Sequence, residues 1–164
     1  MITRESLPVL DDIDWSLLDL LRENARLTFA ELGRQVHLSL AAVAERVHKL
    51  EEHGIIRGYQ VVLDAQRLDY TVQAFLHVTS KKDDCARVVA LAQALPEVRE
   101  AYRVTGSESY LLKVYTTSIA HLEKLIDQFL AIADVMTSLI LSTPVQKPAL
   151  ERIIDGRFLS QETA

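Results

Sequence analysis

The sequence has few of the residues that cross-link or punctuate a chain. Cys85 is the only cysteine, so no intrachain disulfide can form and no cysteine spacing of a metal site exists, which suits a reducing compartment. The five glycines are dispersed, with no phosphate-cradling loop, and no Gly-x-Ser-x-Gly nucleophile elbow occurs. Long apolar runs are missing: stretches such as Leu40 to Ala44, Val88 to Ala92 and Phe129 to Ala133 are the longest, far below the roughly 20 residues that span a bilayer. Met1 to Leu10 lack the apolar core of a signal peptide, so the reading is a cytoplasmic protein without a membrane partner. The five histidines show no ligand spacing of a metal motif, His48 and His53 being too far apart for an i, i+4 pair. An excess of basic charge is also absent, since the net charge is −5.

What the 164 residues do contain is 49% apolar and 25% charged side chains, an ordinary globular mixture sufficient for one large or two small domains. The acidity is uneven. Asp11, Asp12, Asp14 and Asp19 crowd one short stretch, whereas Arg22 to Gly58 carry 6 basic and 5 acidic residues. One basic face can therefore meet phosphates while the far side stays acidic, because exposed charges are screened beyond about 8 Å at physiological salt.

Apolar periodicity predicts three short helices in the first third. Asp12 can cap the first, followed by Ile13, Leu17, Leu20 and Leu21 on one face. Thr28 to Glu31 reads as a capping box that opens the second, whose buried side is Phe29, Leu32 and Val36. Ser39 offers the next N-cap, and Val43, Val47 and Leu50 recur at helical spacing until Gly54, which suits a left-handed C-terminal cap. Only His37, Leu38 and about a residue on each side separate the second and third helices, the tight turn of a helix-turn-helix. Ile55 to Leu63 is β-branched and reads as an extended wing or linking strand.

The second half alternates in the order β-α-β-β-α-β: strand Gln73 to Ser80, helix Asp84 to Leu95, strands Glu97 to Thr105 and Ser109 to Thr116, helix Ser118 to Ala131, strand Val135 to Thr143. The overall expectation is an α+β chain, a helix-turn-helix followed by a ferredoxin-like sandwich. Its parts would be residues 1–63 for the helix-turn-helix domain, 64–72 for a linker, 73–147 for the sandwich and 148–164 for a tail. Helices cover only one face of such a sheet, yet Leu76 and Val78 point one way and Phe75 the other. The open apolar face calls for a partner.

The run Leu38, Ser39, Val43, Glu45, Arg46, Val47, Leu50, Glu51, Gly54, Ile55 and Ile56 resembles the LSxxxVxxRVxxLExxGxI signature of the Lrp/AsnC (feast/famine) transcriptional regulators. The later stretch Thr105 to Lys113, TGSESYLLK, resembles the sensor loop of the same family, and the likeness extends from about Leu10 to Lys147. It implies a winged-helix-like domain that binds double-stranded DNA and a domain that binds a small-molecule effector, an amino acid. It also implies dimers formed through the sheet, often assembled into octamers, and neither catalysis nor a cofactor. Two positions depart from the family pattern. His37 stands where glycine is usual, and Ser109 stands where the sensor loop usually carries an acid beside the tyrosine.

On the third helix Ala41, Ala42, Glu45, Arg46, His48 and Lys49 face away from Val43 and Val47 and form the candidate DNA face. Ser39 and the helix N-terminus can hold a phosphate through backbone amides, and Arg34 and Arg57 are phosphate anchors or plain surface charge. Arg46 alternatively pairs with Glu45, Glu51 or Glu52. In the sensor half, Gly106, Ser107, Glu108, Ser109 and Tyr110 form the candidate effector loop, with backbone amides for a carboxylate and Glu108 for an ammonium; Thr137 and Ser138 are additional liners. The alternative is an ordinary hairpin turn. Two other functions stay open at this level: a protein-interaction module that has lost DNA binding, and a small enzyme on the ferredoxin-like half, for which no nucleophile stands beside a base.

Overall fold

The computed structural model describes residues 9–145 together with 153–154 and 157–158. The chain divides into two compact units, with a division between Val61 and Val62.

The N-terminal unit contains α1 (Asp12–Glu23), α2 (Phe29–Val36) and α3 (Leu40–Glu52). Asp11, not Asp12, caps α1: its carboxylate accepts from the Asp14 amide while the Asp14 carboxylate accepts from the Asp11 amide, a reciprocal capping box. The box uses the acid that precedes the helix, because only there does the side chain reach the unpaired amides of the first turn. Thr28 and Glu31 make the same box at α2, and Ser39 Oγ accepts from the Ala42 amide at α3. Leu17, Leu21, Leu32, Val43 and Val47 form a closed core, with Ile13, Leu38 and Ile56 against its edge.

Two backbone features make the α2–α3 turn. His37 adopts the left-handed conformation at φ 56° and ψ 40°, and the Leu38 amide donates back to the Gly33 carbonyl at 2.9 Å. Gly33 lies inside α2 and is buried. A Cβ at that position would stand 2.6 Å from the Leu38 carbonyl oxygen, so the two helices approach at the distance that glycine allows.

The wing expected over Ile55 to Leu63 does not form; that stretch joins no strand ladder among the described residues. The Ile55 and Ile56 amides both donate to the Leu50 carbonyl, 2.9 and 3.0 Å away, and Gly54 turns the chain at φ 67°. These amides close the C-terminus of α3, and Ile56 is drawn to the helical core instead of a sheet.

The second unit opens with a short 3-10 turn over Gln66–Leu68 inside the expected linker, followed by β1 (Val72–Thr79), α4 (Cys85–Ala94), β2 (Val98–Arg103), β3 (Tyr110–Thr116), α5 (Ile119–Leu130) and β4 (Asp134–Leu139). Each element lies within the expected span or a residue from it; the largest change is that β4 stops at Leu139, well before Thr143. The sheet order is β2-β3-β1-β4 with every neighbouring pair antiparallel, the order of the split βαβ sandwich. Alternation along the strands sends Ala74, Leu76, Val78, Leu112 and Val114 to one face, where Val88 and Ala92 of α4 and Leu122, Leu125 and Phe129 of α5 cover them. The opposite face keeps Phe75, His77, Leu111, Lys113, Tyr115 and Met136. Most of the expected tail and the last residues assigned to the sandwich fall outside the described residues; within the tail Ile153–Ile154 (β5) pairs with Arg157–Phe158 (β6).

Candidate nucleic-acid interface and effector site

The exposed side of α3 is narrower than periodicity alone implies. Ala41, Glu45, His48 and Lys49 are exposed, and Lys49 Nζ donates to Glu45 Oε1 at 2.7 Å, while His48 lies 3.2 Å from Glu52. The Lys49 ammonium holds the Glu45 carboxyl below its ordinary range. Arg46 is placed differently. Its Nη1 donates to Asp14 Oδ1 at 2.7 Å and to Asp11 Oδ2 at 2.8 Å, so it faces the start of α1 and pairs with none of Glu45, Glu51 or Glu52. The acids that gave the first helix its unfavourable charge are the reason: two of them make both a cap and a socket for this guanidinium. Their contacts raise the Arg46 pKa, and the Asp14 amide together with Arg46 lowers that of Asp11.

Ala42 is half-buried on the same side and lines a cleft with Val9, Leu10, Asp14 and Arg46. Ala42 and Arg46 therefore leave the outward face to which periodicity assigned them, since α1 crosses there. Ser39 Oγ accepts the Ala42 amide in capping, which leaves its O–H and the backbone amides of the helix start as donors for a phosphate. Arg34 on α2 and Arg57 after α3 are exposed and form no ion pair among the described residues, and Arg26 in the α1–α2 turn shares that state. Arg26 was not singled out from sequence; its signal was a cation between two helix boundaries, where no i, i+4 acid can neutralise it.

In the second unit the β2–β3 loop crosses the edge of the open sheet face. Gly106 takes φ 119°, a conformation that favours glycine. Ser109 fastens the loop to the end of β1: its amide donates to the Val78 carbonyl at 2.8 Å, and its Oγ accepts from the Ser80 amide at 3.1 Å. Glu108 Oε1 lies 3.8 Å from His77 Nδ1, and Ser138 Oγ is 3.3 Å from His77 Nε2. Glu108 and His77, together with Thr79, Ser107, Asp134, Val135 and Met136, border an open cleft of about 320 Å³.

Two expected liners lie elsewhere. Tyr110 is 7% exposed and belongs to the core under the helices, because as the first residue of β3 it shares the inward parity of Leu112 and Val114. Thr137 pairs with Leu76 and so shares its helix-covered face, whereas Ser138 pairs with Phe75 on the open face. Adjacent strand residues cannot both line one site on one face. His77 and Asp134 were missed. The alternation that put Phe75 on the open face also puts His77 there, but only the strand register brings Asp134 opposite Thr79.

Comparison with known proteins assigns both halves. Residues 10–51 match the AsnC-type helix-turn-helix domain and residues 73–150 match the Lrp/AsnC ligand binding domain. An uncharacterised HTH-type transcriptional regulator of Bacillus subtilis, YezC, is 40% identical over 85% of this chain and 99% of its own. The regulatory protein AsnC of Haemophilus influenzae is 32% identical over 88% of this chain and 97% of its own. Among solved structures, Bacillus subtilis LrpC superposes with a TM-score of 0.81 at 34% identity, covering 85% of this chain and all of LrpC. A transcriptional regulator of Neisseria meningitidis in complex with L-methionine gives a TM-score of 0.81 at 30% identity, with 87% of this chain and 96% of that one covered. With both domains matched in order on the expected elements, the chain belongs to the Lrp/AsnC family of helix-turn-helix transcriptional regulators, which are not enzymes.

Proposed function

We propose that this protein binds double-stranded DNA through α2 and α3 and that a free amino acid bound at the β2–β3 loop modulates that binding. The observation that carries the reading is the cleft at Glu108 and His77, a built polar corner in a domain of the ligand-binding type. Glu108 would take the ammonium, and the loop amides around Gly106 would take the carboxylate. The methionine complex of the Neisseria meningitidis relative supports an amino acid as the class of ligand. On the DNA side the start of α3 enters the groove, with Ala41 and the Glu45–Lys49 pair outermost, and Arg26, Arg34 and Arg57 neutralise phosphates. Glu45 can accept from a cytosine amino group, but methyl contacts and one paired lysine read few base edges. Much of the sequence preference then comes from how easily the site bends.

The open sheet face, with Phe75, Leu111 and Tyr115, is covered by a second copy of the chain. Pairing two helix-turn-helix units in this way sets half-sites about 10 bp apart or multiples of that. Gel-shift titration against genomic DNA fragments, repeated over a range of salt and with each of the twenty amino acids, tests the function. Specific retention whose logarithm falls linearly with log salt, and which shifts with at least one amino acid, is the expected result. Binding that ignores salt removes the phosphate contacts from the proposal. Sedimentation of the full chain tests the pairing, and a monomer at micromolar concentration overturns it.

A further inference from the structure

We propose that the effector cleft selects an amino acid with a positively charged side chain, such as lysine, because Asp134 supplies it with a second carboxylate beside Glu108. The inference rests on the effector reading above and adds the charge class of the ligand.

The cleft is lined by His77, Thr79, Ser107, Glu108, Asp134 and Met136 among others, and none of its lining residues is Lys or Arg. Among the described residues that line it, the two carboxylates therefore face only one group that can become cationic. Glu108 already has that imidazole at 3.8 Å. Asp134 is exposed, and its carboxylate makes no hydrogen bond or ion pair among the described residues.

The register fixes where the unmatched charge stands. Thr79 pairs with Asp134 and His77 with Met136, so Asp134 is one two-residue step beyond the imidazole on the same face, about 7 Å along the strand. An amino acid whose ammonium meets Glu108 and whose carboxylate meets the loop amides directs its side chain past Met136 toward Asp134. Leucine brings an apolar side chain to that carboxylate and strips water from it without compensation. Glutamate brings a like charge. Lysine or arginine lays its apolar stem along Met136 and ends in a cation at Asp134, in the way long basic side chains cover apolar surface elsewhere.

Isothermal titration of the full chain with L-lysine, L-leucine and L-glutamate decides the matter. Lysine is expected to bind at least about tenfold more tightly than leucine, a difference of about 1.4 kcal/mol, with glutamate weakest. Asp134→Asn should erase the preference for lysine, with lysine weakened and leucine tightened as the charge that leucine desolvates is removed, and Glu108→Gln should weaken both ligands. A thermal melt followed by circular dichroism checks that each variant is folded. If leucine binds as tightly as lysine to the unaltered protein, or Asp134→Asn keeps the lysine preference, the charge assignment is overturned and the effector reading stands. If none of the three ligands binds, the charge assignment is overturned, and the effector reading falls only if none of the other seventeen amino acids binds either.

Discussion

Gly33→Ala places two opposing effects in one methyl group. Inside a helix alanine is favoured over glycine by about 1 kcal/mol, and the Gly33 backbone has an ordinary helical φ, so intrinsic propensity predicts stabilisation. Packing predicts the reverse. The new Cβ would lie 2.6 Å from the Leu38 carbonyl oxygen and 3.6 Å from Val43 Cγ2, where real Cβ contacts essentially never fall under 3.0 Å. That oxygen belongs to backbone, and it is held on both sides: the Leu38 amide donates to Gly33, and Ser39 caps α3. The α2–α3 crossing must therefore open by several tenths of an ångström. Overpacking of this kind costs about 1–3 kcal/mol, and the severity of a backbone clash puts it toward the upper end. A net loss of about 1–2 kcal/mol remains after the helix gain. Trp15, the single tryptophan, lies on α1, so its fluorescence follows the N-terminal unit alone during urea unfolding. The midpoint should fall by about 1 M, taking the slope of a small domain, and DNA affinity should fall with it as α3 shifts. An unchanged or higher midpoint would refute the argument that glycine is required at this crossing.

The other predictions concern the same unit. His37→Gly relieves a left-handed non-glycine residue, worth about 1–2 kcal/mol, against an entropy cost of about 0.5–1 kcal/mol; the Trp15 transition should move up in urea, and a downward move would show that the imidazole contributes more than its backbone strain. Arg34→Ala and Arg57→Ala should each reduce the salt slope of DNA binding by about 1 without changing sequence preference, whereas Arg46→Ala should lower the urea midpoint with the slope unchanged. A slope altered only by Arg46→Ala would put that guanidinium in the groove and sink the present assignment. Acid stability follows from Asp11 and Glu31, whose carboxyls are lowered mainly by the amides of Asp14 and Thr28. Between the folded pKa and the unfolded values of about 4 the unfolded chain binds more protons, so this stability is complete above that value and disappears as pH falls through the lower, folded pKa. A Trp15 midpoint that holds or rises below pH 4 would contradict it.

The sequence by itself determined the local architecture, because the signals that set it act over a few residues. Thr28 with Glu31, Ser39, Gly54 and the spacing of Val43, Val47 and Leu50 fix where helices start, stop and turn their apolar sides. Strand alternation fixed which of Phe75, Leu76 and Val78 share a face, and the order of elements already implied the sandwich. The tertiary structure decided everything that depends on a neighbour distant in the chain. Arg46 looks outward on a helical wheel until α1 brings Asp11 and Asp14 to it from 35 and 32 residues away. Ile55 and Ile56 have strand propensity, but with no partner strand their amides close α3 instead. Tyr110 and Thr137 look like members of a polar loop and strand until parity turns them toward α4 and α5. Asp134 acquires a role only through its register with Thr79, 55 residues earlier, since a carboxylate becomes part of a site when another element brings it next to Glu108 and His77, and no local pattern records that meeting.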